Sequence, residues 1–234
     1  MVEIHDVKQG TREWFALRIG TPTVSNLPRI LTPAKLKISA GAKTYAAELV
    51  AERILGEPLD HELATEWTAR GTELESEARD WYAMYRDVEV DEVGFVTIAG
   101  GAFGGSPDGL VGDDGLVEIK CRSAKMHARI ITGVDEAASR LQTQGYLWLT
   151  GREWIDVLAY TPPSMISGKG LPKHIQRQYR DPTVHQAIET AVTDFIEMID
   201  EGLARLKDLG EVIEEGNDDI TRKLRESLAA GATT

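Results

Sequence analysis

The sequence predicts an α/β fold in which a central mixed β-sheet is flanked by α-helices on both sides. Apolar residues recur at helical spacing early in the chain, alternate as in strands through the middle, and return to helical spacing afterwards. A chain of 234 residues can bury one sizeable core, so we expect a single domain over residues 1–209. The acidic segment 210–234 is expected to be a terminal tail, partly helical or disordered.

Helices are predicted where apolar spacing coincides with end signals. Thr11 begins a short helix, and Ser25 has the composition of an N-cap for a helix over 26–31. Asp181 as N-cap and Pro182 at the first helical position begin a long C-terminal helix. The other predicted helices cover residues 45–55, 66–85, 123–131 and 135–150.

Strands are predicted from alternation and from the turn residues between alternating segments. The segment Gly112-Asp-Asp-Gly115 is typical of a tight hairpin turn between two of these strands. The predicted strands cover residues 88–99, 103–111, 116–121, 154–160 and 174–180.

The composition excludes some classes of protein and argues against another. No apolar run is long enough to cross a bilayer, and the N-terminus does not resemble a signal peptide. Cys121 is the single cysteine, which excludes an internal disulfide and suits a reducing cytoplasm. The net charge of −12 argues against nucleic-acid binding, because phosphate contacts usually need a basic surface. A carboxylate metal site and an acidic C-terminal third would explain part of this negative charge. A DNA-binding enzyme with this balance must then concentrate its basic residues along one groove or channel.

The most informative segment is Gly105–Cys121, in which Ser-Pro-Asp-Gly precedes the hairpin and Glu-Ile-Lys-Cys follows it. Strand alternation places Glu118 and Lys120 on one face and directs Ile119 into the core, while Asp108 on the preceding strand can approach Glu118. Carboxylate oxygens bind Mg²⁺ and a lysine can orient or deprotonate water, which together suit phosphodiester hydrolysis. Either motif alone is more often a surface hairpin with a Lys–Glu pair, whereas the joined pattern favours a nuclease.

This joined pattern resembles the PD-(D/E)XK nuclease core, specifically the phage lambda exonuclease and YqaJ-type viral recombinase family, over residues 8–205. The resemblance implies a restriction-endonuclease-like core and a processive 5′→3′ exonuclease that acts on double-stranded DNA ends. Such an enzyme leaves 3′ single strands for homologous recombination by single-strand annealing. It also implies two Mg²⁺ ions, replaceable by Mn²⁺, held by Asp108, Glu118, Glu75 and the Ile119 carbonyl. The implied partners are an annealing protein and two further copies of the chain in a ring.

The segment from Gln9 to Ser25 resembles the N-terminal signature of that family and implies that Arg18 and Ser25 bind the terminal 5′-phosphate of DNA. An arginine donates a fork of hydrogen bonds to phosphate, and a serine at a helix N-terminus adds another. Spacing alone favours a solvated arginine and a simple cap, and the nuclease core downstream reverses that preference. Ser106 is implied to lie near this pocket, and Trp14 is expected to pack rather than to stack on a base.

Glu75, within the segment 70–79, matches the acidic residue that faces the metals from a family helix. Gln142 and Gln144 match a Gln-x-Gln helix and are implied near the phosphate. They cannot share one helix face, so one reaches a water or phosphate oxygen while the other packs or is exposed. Spacing leaves open which of the two does so.

In this family an apolar residue acts as a wedge that separates the strands at the DNA end. The matching position here is Thr68, and Trp67 is next to it. Either Trp67 takes that role or the wedge is absent. Basic residues in the loop 35–43 are candidates for duplex contacts.

Two rival functions remain open. A structure-specific or nicking endonuclease could use the same core, although such an enzyme has no need of the terminal-phosphate pocket of Arg18 and Ser25. A catalytically idle DNA-binding module is disfavoured by the joint presence of Asp108, Glu118 and Lys120. A magnesium-dependent digestion assay separates these alternatives.

Overall fold

A computed structural model describes residues 2–59, 66–121, 124–134, 136–162 and 167–209, with only the backbone described for residues 66–73, 126 and 136–138. The predicted tail, 210–234, lies outside these ranges, and the single domain over 1–209 stays a prediction. The helices are α1 (Arg12–Arg18), α2 (Leu27–Ile30), α3 (Ala42–Leu55), α4 (Glu66–Arg86), α5 (Ala124–Ile131), α6 (Glu136–Thr150) and α7 (Pro182–Leu209). The strands are β1 (Val2–His5), β2 (Val90–Asp91), β3 (Phe95–Ile98), β4 (Phe103–Gly105), β5 (Gly109–Val111), β6 (Gly115–Cys121), β7 (Trp154–Tyr160) and β8 (His174–Tyr179).

The central sheet has the order β2-β5-β6-β7-β8, and β6 pairs in parallel with β7 while the other neighbours are antiparallel. Two parallel strands need a long crossover, and α5 and α6 lie in the chain between β6 and β7. One face of β6 and β7 packs against Ala78 and Tyr82 of α4, and the other faces the core that includes α6 and α7. The predicted mixed sheet with helices on both sides is therefore confirmed.

A second, three-stranded sheet has the order β1-β3-β4, and its strand β1 was not predicted. The predicted strands 88–99 and 103–111 are each divided between the two sheets. In the second of them, the chain leaves the small sheet after β4, passes through residues 106–108 and enters the central sheet at β5. The prediction that Asp108 lies within a strand is therefore wrong. Pro107 has no N–H for a strand ladder, which suits this break.

Two of the three predicted helix starts, at Thr11 and Asp181, are confirmed, and the third, at Ser25, is not. The Thr11 hydroxyl accepts a hydrogen bond from the Trp14 N–H, and the Asp181 carboxylate accepts from residues 183 and 184 at the start of α7. Ser25 is not the predicted N-cap. It lies in a 3₁₀ turn before α2, and its hydroxyl is paired with the Thr23 hydroxyl at 3.1 Å.

The C-terminal helix α7 completes the core against α3. Tyr45 of α3 stacks on Phe195 of α7 with ring centroids 5.2 Å apart. Gly202 allows close approach, because an added Cβ there would lie 2.9 Å from the Val50 side chain. Within the described ranges, no helix combines the length and the apolar character that crossing a membrane requires.

Candidate active site

Asp108 lies where the chain enters the central sheet. Gly109, the first residue of β5, pairs with Val117 of β6, so Asp108 lies beside the following residue of β6. The Asp108 Oδ2 accepts a hydrogen bond from the Ile119 N–H at 2.5 Å. A Cβ at position 109 would lie 2.4 Å from the Val90 side chain, which explains the glycine after the aspartate. A backbone donor of β6 thus holds the Asp108 carboxylate.

Strand alternation along β6 separates its functional side chains from the core. Ile119 packs with Ala78 and Tyr82 on the α4 side of the sheet. Glu118 and Lys120 share the opposite face, where the Lys120 Nζ donates to the Glu118 Oε1 at 2.6 Å. These two charged residues are only 4% and 7% exposed, so they form a buried ion pair.

The two glutamines of α6 have different environments. The Gln142 Oε1 accepts from the Lys120 Nζ at 2.7 Å, and its Nε2 donates to the Glu118 Oε1 at 3.0 Å. Gln144 is buried and bonds to the backbone of residues 179 and 181 at 2.9 and 2.8 Å. The structure therefore brings Gln142 to the charged pair, whereas Gln144 joins β8 to the start of α7.

Glu75 reaches the same region from α4. Burial raises its pKa, and the charges of Glu118 and Glu92 raise it further, while Arg79 lowers it. Arg79 is buried and donates to the Glu75 Oε1 at 3.0 Å, to the Glu92 carboxylate at 2.5 Å and to the Asp108 carbonyl at 2.9 Å. Arg79 therefore ties the acidic helix to the Asp108 loop. Arg79 was not predicted as a site residue, although its i+4 spacing from Glu75 was a usable signal.

The electrostatics of the site are dominated by crowded carboxylates. Burial raises the pKa of Asp108 well above its ordinary value, and the negative charges of Glu118 and Glu75 raise it further. The Ile119 N–H and the Lys120 ammonium act in the opposite direction. Buried carboxylates that repel one another are stabilised in the ionised form by a shared cation.

One further observation tests whether a divalent cation fits. The Glu118 Oε2 is buried and has no hydrogen-bond partner among the described residues. Hard carboxylate oxygens are the ligands that Mg²⁺ prefers, so the unpaired oxygen and the neighbouring Asp108 fit such an ion chemically. In this conformation Glu75 is paired with Arg79 and Glu118 with Lys120. Among the described side chains, no three carboxylate, histidine or cysteine groups converge closely enough to surround a metal by themselves.

Arg18 lies against aromatic rings and has no salt bridge among the described residues. Its guanidinium carbon is 4.2 Å from the Trp14 ring centroid and 5.7 Å from that of Phe95, and burial lowers its pKa. The Trp14 Nε1 donates to the Ser106 Oγ at 2.9 Å and to the Gly94 carbonyl at 3.0 Å. Ser106 in turn donates its hydroxyl proton to the Gly94 carbonyl at 2.6 Å. Ser106 is thus joined to Arg18 through Trp14, and its only proton is already used.

Tyr146 of α6 connects this region with the carboxylates. Its hydroxyl donates to the Ser106 carbonyl at 3.0 Å. Burial raises its pKa well above the ordinary value, and the charges of Glu118 and Asp108 raise it further, while Arg18 lowers it. Tyr146 was missed as a site residue, although it follows Gln142 by one helical turn.

Other predicted residues are outside this cluster or outside the description. Ser25 is exposed and contacts Thr23. Trp67 and Thr68 lie in the first turn of α4, and their side chains are outside the described part of the structure. The basic loop contains a hydrogen-bonded turn, with the Thr32 N–H donating to the Lys37 carbonyl at 2.8 Å.

The arrangement agrees with the comparison to known proteins. A sequence model of the YqaJ-like viral recombinase domain matches residues 13–153, more than half of the chain. The chain belongs to the YqaJ-like viral recombinase family. The family predicted from the sequence is therefore confirmed, and membership supports a DNA exonuclease role. Nucleases of this family generally use divalent metals.

Solved structures support the same assignment for this YqaJ-like protein. An alkaline exonuclease (LHK-Exo) from Laribacter hongkongensis is 36% identical, with 85% of this chain and 97% of that one covered and a TM-score of 0.71. Its complex with dAMP has the same identity and coverage and a TM-score of 0.72. A phage-related exonuclease from Haemophilus somnus shares the fold at 16% identity, 80% and 96% coverage and a TM-score of 0.61. The fold is thus restriction-endonuclease-like. No curated protein matches the chain significantly.

Proposed function

We propose that this protein is a magnesium-dependent 5′→3′ exonuclease that digests double-stranded DNA from its ends and leaves 3′ single strands for recombination by annealing. The observation that carries the proposal is the cluster of Asp108, Glu118, Lys120 and Gln142, in which Glu118 and Lys120 are buried. Trp14 joins Arg18 to Ser106 in the loop that carries Asp108. Membership of a recombinase family and similarity to alkaline exonucleases support the reaction class.

Asp108, Glu118 and Glu75, with the Ile119 carbonyl, would hold two Mg²⁺ ions, or Mn²⁺ in their place. A divalent cation supplies charge stabilisation at the scissile phosphate and makes a water molecule more acidic. The unpartnered Glu118 Oε2 and the raised pKa of Asp108 support this assignment.

Lys120 has the donors needed to orient the attacking water. An ammonium group has three N–H donors, and two of them go to Glu118 and Gln142. One N–H is left for a water or a phosphate oxygen. Gln142 bonds to both partners of the ion pair, so it fixes their relative position and resists rotation of the lysine.

Arg18 supports the choice of a DNA end over an internal site. It is half-buried, and no carboxylate among the described residues lies within salt-bridge distance of it. A guanidinium in that situation gains a charge-assisted pair by binding a phosphate. A terminal 5′-phosphate offers two charges, and an endonuclease would not require this recognition.

A linear duplex labelled at the 5′ end or at the 3′ end of one strand, together with a closed circular duplex, tests this proposal. In Mg²⁺ we expect early release of labelled mononucleotides from the 5′-labelled duplex and late release from the 3′-labelled one. We also expect faster digestion of 5′-phosphorylated than of 5′-hydroxyl ends, and intact circles. Nicked circles would favour the endonuclease, and no digestion in either Mg²⁺ or Mn²⁺ would favour the idle binding module.

We further propose that the protein forms a closed ring of three copies and acts with a single-strand annealing protein. The net charge of −12 supports the ring, because one copy must still present basic surface to DNA. A ring can keep an acidic exterior while it gathers basic residues around a central channel.

A further inference from the structure

Trp14 lies between the arginine proposed to bind the DNA end and the loop that carries Asp108. The face of its indole ring is under the Arg18 guanidinium, 4.2 Å from ring centroid to guanidinium carbon. Its edge N–H donates to the Ser106 Oγ, two residues before Asp108, and to the Gly94 carbonyl. One side chain therefore contacts both parts of the candidate site.

The Trp14 ring is the nearer of the two aromatic rings that contact Arg18. A free arginine side chain has many rotamers, and fixing one of them is entropically unfavourable. Among the described residues Arg18 has no salt bridge: the charge of Glu52 acts on it, but the Glu52 carboxylate accepts from the Gly20 N–H. The Phe95 ring is farther away than Trp14, at 5.7 Å. Stacking by the flat face leaves the N–H groups at the guanidinium edge for a ligand.

We propose that Trp14 is a positioning residue that holds Arg18 flat and sets its distance from the Asp108 loop. This inference rests on the proposed role of Arg18 at the 5′-phosphate. The carboxylates proposed to hold the metal and the bound 5′ end must keep a fixed separation, since misplacement by about 1 Å can lower an enzymatic rate by about a hundredfold. The indole supplies that link through its ring face and its N–H together.

The two contacts of Trp14 can be removed one at a time. Trp14→Phe keeps an aromatic face for Arg18 and removes the N–H that bonds to Ser106. Trp14→Leu removes both contacts while it keeps an apolar side chain. We expect the preference for 5′-phosphorylated over 5′-hydroxyl ends to fall about three- to tenfold in Trp14→Leu and by less in Trp14→Phe.

A matched control is available in the second tryptophan–arginine stack of the fold. Arg177 lies 3.6 Å from the Trp154 ring centroid, on β8 and β7. Trp154→Leu therefore removes the same kind of contact elsewhere, and it should retain the full end preference even if it lowers the melting temperature. Circular dichroism of every variant reports folding independently of activity.

The experiment measures initial rates on matched duplexes with phosphate or hydroxyl 5′-ends, and equilibrium binding of the same duplexes without metal. We expect Trp14→Leu to raise KM mainly on the phosphorylated end and to weaken binding of that end. Its effect should be strongly non-additive with Arg18→Ala, because both changes remove one interaction.

The outcomes are distinguishable. If the wild type does not discriminate between the ends, the proposed phosphate recognition fails and the role of Trp14 fails with it. If the wild type discriminates and Trp14→Leu retains the full preference, or its effect adds to that of Arg18→Ala, Trp14 only packs. Should Trp14→Leu fail to fold, Trp14→Phe decides: an unchanged preference there overturns the link through Ser106.

Discussion

Asp108→Asn separates metal binding from folding, because it removes one charge from a crowded cluster and leaves the shape of the side chain. The asparagine oxygen can still accept the hydrogen bond that the Ile119 N–H donates to the Asp108 Oδ2 at 2.5 Å. Removal of the charge relieves repulsion by Glu118 and Glu75, the two carboxylates that raise the pKa of Asp108 after burial. We therefore expect the metal-free variant to be more stable than the metal-free wild type, and we expect Mg²⁺ no longer to stabilise it.

The expected size follows from the position of Asp108 beside Glu118, one residue before the paired positions of β5 and β6 begin. Side chains at such neighbouring positions are about 5 Å apart, as they are for opposed residues of antiparallel strands. At an effective dielectric constant of about 20, two like charges at that separation repel by about 3 kcal/mol. The Lys120 ammonium and the Ile119 N–H offset part of this repulsion. A net gain of about 1–2 kcal/mol in the free energy of unfolding remains, which corresponds to about 2–8 °C in Tm.

Thermal unfolding in EDTA and in rising Mg²⁺ measures both effects. At a Mg²⁺ concentration of about ten times Kd, the wild type should gain about 1.4 kcal/mol, and Asp108→Asn should gain almost nothing. Asp113→Asn is the matched control, because it makes the same change at an exposed position of the same hairpin. A variant no more stable than the wild type in EDTA, or one with the full Mg²⁺ response, would refute the reasoning.

Three further predictions concern catalysis, assembly and stability. Lys120→Ala should lower the cleavage rate by at least about a hundredfold while duplex binding persists, and near-normal turnover in a digestion assay would remove it from the site. Light scattering should give three copies per particle, and a strict monomer at working concentration would count against the ring. Asp156→Asn should lower the free energy of unfolding by about 2–4 kcal/mol at pH 7, because its buried carboxylate accepts from Tyr82 and from Arg177 at 2.7–2.9 Å. Burial opposes ionisation of Asp156, but these donors lower its pKa below 3.8 overall. The stabilisation by the ionised Asp156 is therefore present above pH 3.8 and is lost as the pH falls through its lowered pKa. Chemical denaturation at pH 7 and pH 3 checks this, and an equal difference at both would contradict it.

Local features of the sequence determined the strands and helices that carry the site. The alternation of Glu118, Ile119 and Lys120 follows from the backbone geometry of one strand, so it could be predicted without knowledge of the fold. The helix starts at Thr11 and Asp181 likewise depend on bonds to residues only a few positions away. The family could be predicted because its motifs keep their order and spacing along the chain.

Only the tertiary structure decided the contacts between distant segments. Trp14 and Ser106 are separated by 92 residues, and Arg79 and the Asp108 carbonyl by 29, so no local period brings them together. The choice between Gln142 and Gln144 was decided by the strand and helix that pack against each face of α6. The break at Asp108 was missed because both flanking segments have strand composition, and the change of sheet depends on pairing with remote strands. Local dihedral preferences fix periodicity, whereas the meeting of remote side chains depends on how whole elements pack.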